Sequence, residues 1–183
     1  MKTLIIVAHP NLGGSKFNHY WINELKKLPE LYTVHDLHAE YPDGEFDINR
    51  EQALLVSHDT IIFQFPIYWF NCPPILKKWL DDVLTYGWAY GSSSGYKLQG
   101  KRITVAVSAG IDQQDYSQNG RYKYTLDELL RPFEVTVNYI KGTWMPFFAH
   151  YGIEAIPEDE IKLKAELEKS FFAYRTFLCE TNK

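Results

Sequence analysis

The residues best suited to chemistry in this chain fall in three short connections. The first is Pro66-Ile67-Tyr68-Trp69-Phe70-Asn71-Cys72-Pro73-Pro74, which sets aromatic rings among prolines directly after the apolar run Thr60–Phe65. Loops are normally polar, because exposed aromatic surface lowers solubility without adding fold stability. Rings in such a place form a platform for a flat ligand. Backbone N–H groups of Tyr68, Trp69 and Phe70 would then donate to the ligand's acceptor edge, and donors there favour a ligand that gains negative charge on reduction. The second connection, His9-Pro10-Asn11-Leu12-Gly13-Gly14-Ser15-Lys16-Phe17-Asn18, runs into a helix. Free N–H groups and the helix dipole make such a start an anion site. Ser15 and Asn18 would add hydrogen bonds, and Lys16 positive charge. The third, Ser108-Ala109-Gly110-Ile111, offers a hydroxyl and a glycine that lets the backbone approach a ligand closely.

Each connection also has a plainer reading. The pattern after His9 is neither the dinucleotide G-x-G-x-x-G nor the P-loop G-x-x-x-x-G-K-[ST], and Ser15 can simply cap the helix. Ser108–Gly110 can be an ordinary strand-ending turn, and Trp69 and Phe70 can be core or dimer-interface residues. Taken together, an anion cradle, an aromatic wall and a close backbone approach suit a phosphate attached to a flat heterocycle. Flavin mononucleotide, or the matching part of FAD, fits.

These connections need elements that bring them to one edge. Thr3–Ala8 is a continuous apolar run, which predicts a strand covered on both faces, as in parallel sheets. Phe17–Leu28 has helical spacing, Tyr32–Leu37 reads as a second strand, and Ile48–Ser57 as a short helix with Asp47 as its N-cap. Thr60–Phe65 is the third strand. Pro73–Thr85 is helical, with its prolines at the start, where they are tolerated. Arg102–Val107 is the fourth strand, and Leu126–Lys141 is helical but should be kinked or divided at Pro132, with Gly142 as its stop. Thr143–Ala149 is the fifth strand despite Pro146. Pro157–Leu178 is the last helix, with Pro157, Glu158, Asp159 and Glu160 at its start. Gly91–Gly95 reads as the most flexible stretch. Alternating strands and helices imply an α/β fold: a flavodoxin-like, doubly wound, five-stranded parallel sheet of order 2-1-3-4-5 with helices on both faces, occupying residues 1–183 as one flavin-binding domain. The order reverses between strands 1 and 3, and ligands bind outside the carboxyl ends of strands at such a point.

Composition narrows the function classes. The chain has 183 residues and a formal charge of -4, which argues against a general nucleic-acid binder. Leu4–Ala8 is too short for a signal-peptide core, and no apolar segment approaches the roughly 20 residues of a spanning helix, so a cytoplasmic location is expected. Cys72 and Cys179 form no metal-ligand pattern; reduced thiols are expected, with a bridge between them left open.

With these residues in place, the sequence resembles the flavodoxin-like NAD(P)H:quinone oxidoreductase family. It is most similar to the short bacterial branch that includes ancillary proteins of glutathione-gated potassium efflux systems. The marks are Val7-Ala8-His9-Pro10 with Ser15 and Asn18, Phe65–Phe70 with Pro73-Pro74, Leu76–Leu84, Tyr86–Gly91 and Leu98–Arg102. The resemblance implies a flavin-containing homodimer that takes hydride from NAD(P)H and passes two electrons to a quinone or another small acceptor by a ping-pong mechanism. It implies that His9 and Ser15, Lys16, Phe17 and Asn18 hold the phosphate and ribityl region. Pro66, Ile67, Tyr68, Trp69 and Phe70 hold the isoalloxazine, and Ser108, Ala109 and Gly110 complete the pocket. The family commonly has Thr-Thr-Gly-Gly where this chain has Val107-Ser108-Ala109-Gly110. Tyr116 lies near the tyrosine that assists hydride transfer in larger members, but no histidine follows it until His150. The short chain favours FMN over FAD. The efflux branch also implies a second role, as a flavin-bearing regulatory subunit that docks to a membrane antiporter.

Overall fold

The computed structural model describes residues 2–91, 95–155 and 159–181. Part of the Gly91–Gly95 stretch, and Pro157 and Glu158 at the expected start of the last helix, lie outside the described residues. The chain runs β1 (Thr3–Val7), α1 (Lys16–Lys26), β2 (Tyr32–Asp36), α2 (Leu37–Glu40), α3 (Ile48–Val56), β3 (Thr60–Pro66), α4 (Pro74–Val83), β4 (Arg102–Ser108), α5 (Leu126–Tyr139), β5 (Thr143–Trp144), β6 (Phe148–His150) and α6 (Glu160–Thr181). The strands are parallel in the order β2-β1-β3-β4-β5, with β6 also on β4. This is the expected flavodoxin-like order.

The sheet is apolar on both faces because helices cover both. Ile5, Val7, Ile62 and Ala106 pack with Phe17, Trp21, Ile22 and Leu25 of α1 and Tyr174 and Leu178 of α6. Leu4, Ile6, Ile61, Phe63, Phe65, Val105 and Val107 pack the other way, against Leu55, Leu76, Trp79, Leu130, Phe133 and Val137. Successive residues of one strand therefore enter different cores, which explains the unbroken apolar runs. Each fully buried Leu, Ile or Phe contributes about 1.5–3 kcal/mol.

Several expectations are corrected. The fifth strand is two pieces, β5 and β6, separated at Met145-Pro146-Phe147. The interruption is filled by the Thr104 hydroxyl, which donates to Met145 O at 2.9 Å and Pro146 O at 3.0 Å. The second strand ends at Asp36, whose carboxylate accepts from His38 N–H and opens the short helix α2. Helix α5 is not divided at Pro132. Pro132 and Glu128, whose carbonyl the missing N–H cannot reach, are both exposed, so the lost helical bond falls on the solvent side. A capping box of Thr125 and Glu128 secures the helix start. Asp47 caps α3 as expected. Asp159 accepts from Lys162 N–H at 2.8 Å and starts α6, which continues past Leu178 to Thr181. Cys72 is half-buried, Cys179 is exposed, and neither is in a disulfide.

Candidate functional site

Adjacent strands deliver the three connections to one edge. Ala8 N–H donates to Gln64 O at 2.9 Å and Ile67 N–H to Ser108 O at 2.8 Å, so the chain leaves β1, β3 and β4 still cross-linked. Pro66, which lacks an N–H, ends β3 opposite Ser108.

The first connection is built around two short-range locks. Asn11 N–H donates to His9 Nδ1 at 3.1 Å, and Gly14 N–H donates to Asn11 Oδ1 at 3.1 Å. His9 is buried; its burial lowers its pKa against the opposing charge of Asp36, so it enters the cradle neutral. Ser15 Oγ accepts Asn18 N–H at 3.3 Å, so Ser15 is the N-cap of α1. The cap leaves the N–H groups of Lys16 and Phe17 without an acceptor among the described residues. The Lys16 side chain is exposed, whereas the Phe17 ring is buried and packs on the His150 ring at 4.5 Å. Asn18 is fully buried and spends its amide inside the protein: it donates to Ser15 Oγ and Ser108 Oγ and accepts from Gln64 Nε2.

The aromatic connection is a hairpin-like turn. Tyr68 N–H donates to Asn71 O at 2.9 Å, and Asn71 N–H returns to Tyr68 O at 3.0 Å. Trp69 and Phe70, between them, have positive φ of 49° and 63°. This backbone is that of the tight turns that favour Asn and Gly, and L side chains adopt it at a cost of about 1–2 kcal/mol each. The expected donor set is thereby corrected. Tyr68 N–H is spent on the turn, and only the N–H groups of Trp69 and Phe70 remain. The Trp69 ring is 94% exposed, so it is not a core residue; Tyr68 and Phe70 are also exposed.

The third connection is less open than its sequence suggests. Ser108 and Ala109 are buried, and Ala109 N–H donates to His150 O at 2.8 Å. Gly110 lies under the Glu154 carboxylate, in space that a Cβ would take, so any side chain here would displace Glu154. Behind the turn, the Phe70 ring meets Tyr122 at 4.8 Å, Tyr122 meets Tyr116 at 5.3 Å, and Tyr116 meets Tyr151 at 5.7 Å. Burial, reinforced by Tyr122, Tyr151 and Glu154, raises the pKa of Tyr116, so its hydroxyl keeps its proton. The structure thus places Tyr116 in a cluster reaching the aromatic turn, and adds Tyr122 and Tyr151, which sequence reasoning missed. It also adds Gln64 and Tyr174, buried partners of Asn18. Gln64 had a signal: it is the one amide within the apolar run Thr60–Phe65.

A cleft of about 820 Å³ lies between α4 and α5. Leu80, Leu84, Phe133 and Ile140 line it together with Tyr68 and Trp69, and neither the His9–Asn18 nor the Ser108–Gly110 connection contributes. The aromatic turn therefore borders this cleft as well as the edge where the three connections meet.

Comparisons with known proteins agree with this geometry. The Uncharacterized NAD(P)H oxidoreductase YrkL of Bacillus subtilis is 49% identical over 91% of this chain and 94% of its own. The Glutathione-regulated potassium-efflux system ancillary protein KefG of Cronobacter sakazakii is 42% identical over 79% of this chain and 77% of its own. The general stress protein 14 of Treponema denticola, solved in complex with FMN, superposes with a TM-score of 0.91 at 44% identity, over 99% of both chains. An NADPH-quinone reductase of P. pentosaceus gives a TM-score of 0.80 at 32% identity, over 93% of this chain and 96% of its own. With residues 1–171 matching a family defined by the flavodoxin-like fold, and relatives this similar over most of its length, the chain belongs to that flavodoxin-like family.

Proposed function

We propose that this protein is a flavin-dependent oxidoreductase that binds FMN, takes hydride from NADH or NADPH and passes it to a quinone-type acceptor. The observation that carries the reading is the pairing of two donor sets at neighbouring strand ends. One is the start of α1, with free N–H groups at Lys16 and Phe17; the other is the left-handed turn, with free N–H groups at Trp69 and Phe70. The residues present suit FMN: free N–H groups at the start of α1 suit the phosphate end, and exposed rings suit the flat part. Relatives named as NAD(P)H oxidoreductase and NADPH-quinone reductase, and the related protein solved with FMN, support the same reading. FMN so held would supply the two-electron chemistry.

The chain's own groups do the rest. Ser15, Lys16 and Phe17 hold the phosphate, with Asn18 behind them fixing the serine. The Trp69 and Phe70 N–H groups orient the ring system and favour its reduced form. Tyr68, Trp69 and Phe70 shape a slot that admits nicotinamide and acceptor in turn, and Tyr116 offers a protonated hydroxyl at its rim. No side chain serves as an obligatory acid or base. We place the protein in the cytoplasm; among the described residues no helix is long and apolar enough to cross a membrane. The exposed Trp69, Tyr86, Val135 and Tyr139 rings and side chains near the α4–α5 cleft suit a homodimer contact.

The test is direct. Purified protein should be yellow or become so with FMN, and anaerobic NADH or NADPH should bleach it until a benzoquinone restores the colour. A colourless protein that takes up neither FMN nor FAD overturns the reading. The likeness to KefG favours one further role, as a regulatory subunit of a potassium efflux antiporter. Co-purification with such an antiporter, and loss of ion flux on deletion, are its expected results.

A further inference from the structure

A buried chain of hydrogen bonds links the last helix to the cradle. Tyr174 OH, in α6, donates to Gln64 Oε1 at 2.9 Å; Gln64 Nε2 donates to Asn18 Oδ1 at 3.0 Å; and Asn18 Nδ2 donates to Ser108 Oγ at 2.9 Å and Ser15 Oγ at 3.2 Å. Tyr174, Gln64 and Asn18 are each 0% exposed.

The direction of this chain is fixed at its far end. Tyr174 is surrounded by the apolar α1–α6 core, and Gln64 is the hydrogen-bond partner of its hydroxyl. Burial raises its pKa, so the phenol keeps its proton. In the reverse direction Tyr174 would accept from Gln64 and bury its proton unspent, which costs more than a hydrogen bond normally contributes. The proton therefore goes to Gln64 Oε1. That choice turns the Gln64 NH₂ toward Asn18 and the Asn18 NH₂ toward the serines. Ser15 Oγ accepts twice, from Asn18 N–H and Asn18 Nδ2, and Ser108 Oγ accepts once. Both serine protons are left over, and Ser15 carries its own beside the free N–H groups of Lys16 and Phe17.

We propose that Tyr174 and Gln64 are positioning residues that set hydrogen-bond direction at the cradle. They make Ser15 a donor toward the ligand, so that the site answers a phosphorylated flavin and discriminates against the same flavin without its phosphate. The inference rests on the flavin reading above. It assigns a binding function to α6, whose Tyr174 is buried behind the cradle.

The experiment compares affinities of the full-length protein for FMN and riboflavin by fluorescence quenching. In Tyr174→Phe, Gln64 loses the proton that orients it, and FMN affinity should fall about tenfold, the size of one charge-assisted hydrogen bond, while riboflavin affinity changes little. Ser15→Ala, which keeps Tyr174, Gln64 and Asn18 but removes the hydroxyl they orient, should show the same selective loss and covers the case in which Tyr174→Phe does not fold. Equal losses for FMN and riboflavin in these variants, or no loss in either, overturn the relay while leaving the flavin reading intact. Wild-type protein that binds neither flavin overturns both.

Discussion

The two faces of the sheet each bury a polar cluster, and the two clusters are built on different principles. On the α3–α4 face the fully buried Glu51 carboxylate gathers three donors: His35 Nε2 at 3.0 Å, Tyr41 OH at 2.6 Å and Trp79 Nε1 at 2.8 Å. On the α1–α6 face the relay from Tyr174 through Gln64 and Asn18 to the serines consists of neutral groups alone. A carboxylate draws donors inward from every side and can tie β2, α2, α3 and α4 together at one point. It would be unsuitable behind a phosphate, which it would repel. Neutral amides carry direction without charge, so they can stand behind an anion site. With the phosphate placed as proposed above, the neutral chain is the arrangement that suits its surroundings.

The comparison breaks most visibly at Glu51. Glu51→Ala leaves three buried donors without an acceptor and should cost about 3–5 kcal/mol in urea unfolding, with the FMN-to-riboflavin affinity ratio of the folded protein unchanged. A loss below about 1 kcal/mol, the value of an ordinary hydrogen bond, would show that the knot is not what joins these elements. On the other face, Asn18→Ala should cost about 2 kcal/mol, because it strands Gln64 and removes the support of Ser15 and Ser108. Unlike the Glu51 variant, it should also release FMN. Equal effects of the two variants on flavin binding would erase the distinction.

Acid and alkali should separate the two clusters as well. Burial opposes the charge on Glu51, but its hydrogen bonds from His35, Tyr41 and Trp79 outweigh that and hold its pKa below 4.5. A depressed carboxyl stabilises the fold above its ordinary value, and that contribution is lost as pH falls through the folded value, below 4.5. Burial, with the Glu51 hydrogen bond, pushes Tyr41 up to about 12, so its contribution is complete below 10 and is lost as pH rises toward 12. Unfolding midpoints measured against pH should show both limbs, and Glu51→Gln should flatten the acid one. A variant that kept the full acid limb would place its origin elsewhere.

The smallest effect has the most instructive sign. Trp69 is 94% exposed and sits at φ 49°, so it contributes strain and little packing. Trp69→Gly should stabilise the fold by about 1 kcal/mol in thermal or urea unfolding and at the same time weaken FMN binding. If stability fell instead, the turn would not be strained; if flavin affinity held, the ring would not belong to the site.

Much of this architecture was legible in the chain. Continuous apolar runs at Thr3, Thr60 and Arg102 imply strands covered on both faces, and that pattern leads to the observed order. The meeting of the three connections at one edge followed from that order together with the helix start after His9. The turn geometry did not, since Trp and Phe are not residues that announce a left-handed backbone; closure by Asn71 O enforces it. The division of the fifth strand was missed because apolar residues flank Pro146, and the Thr104 hydroxyl that satisfies the exposed carbonyls is far away in sequence. Gln64 was visible as a polar residue in an apolar run, yet its partner Tyr174 was not, because helical periodicity does not say which strand a buried ring will meet.

The broken fifth strand has a consequence for how copies of this chain behave when crowded. A sheet edge is a template on which a neighbouring chain can add a strand. Here β5 offers Thr143–Trp144 and β6 offers Phe148–His150, with a proline between them that has no N–H to give. An approaching strand finds a ladder that stops after a few residues, so the edge is protected against aggregation by its own discontinuity.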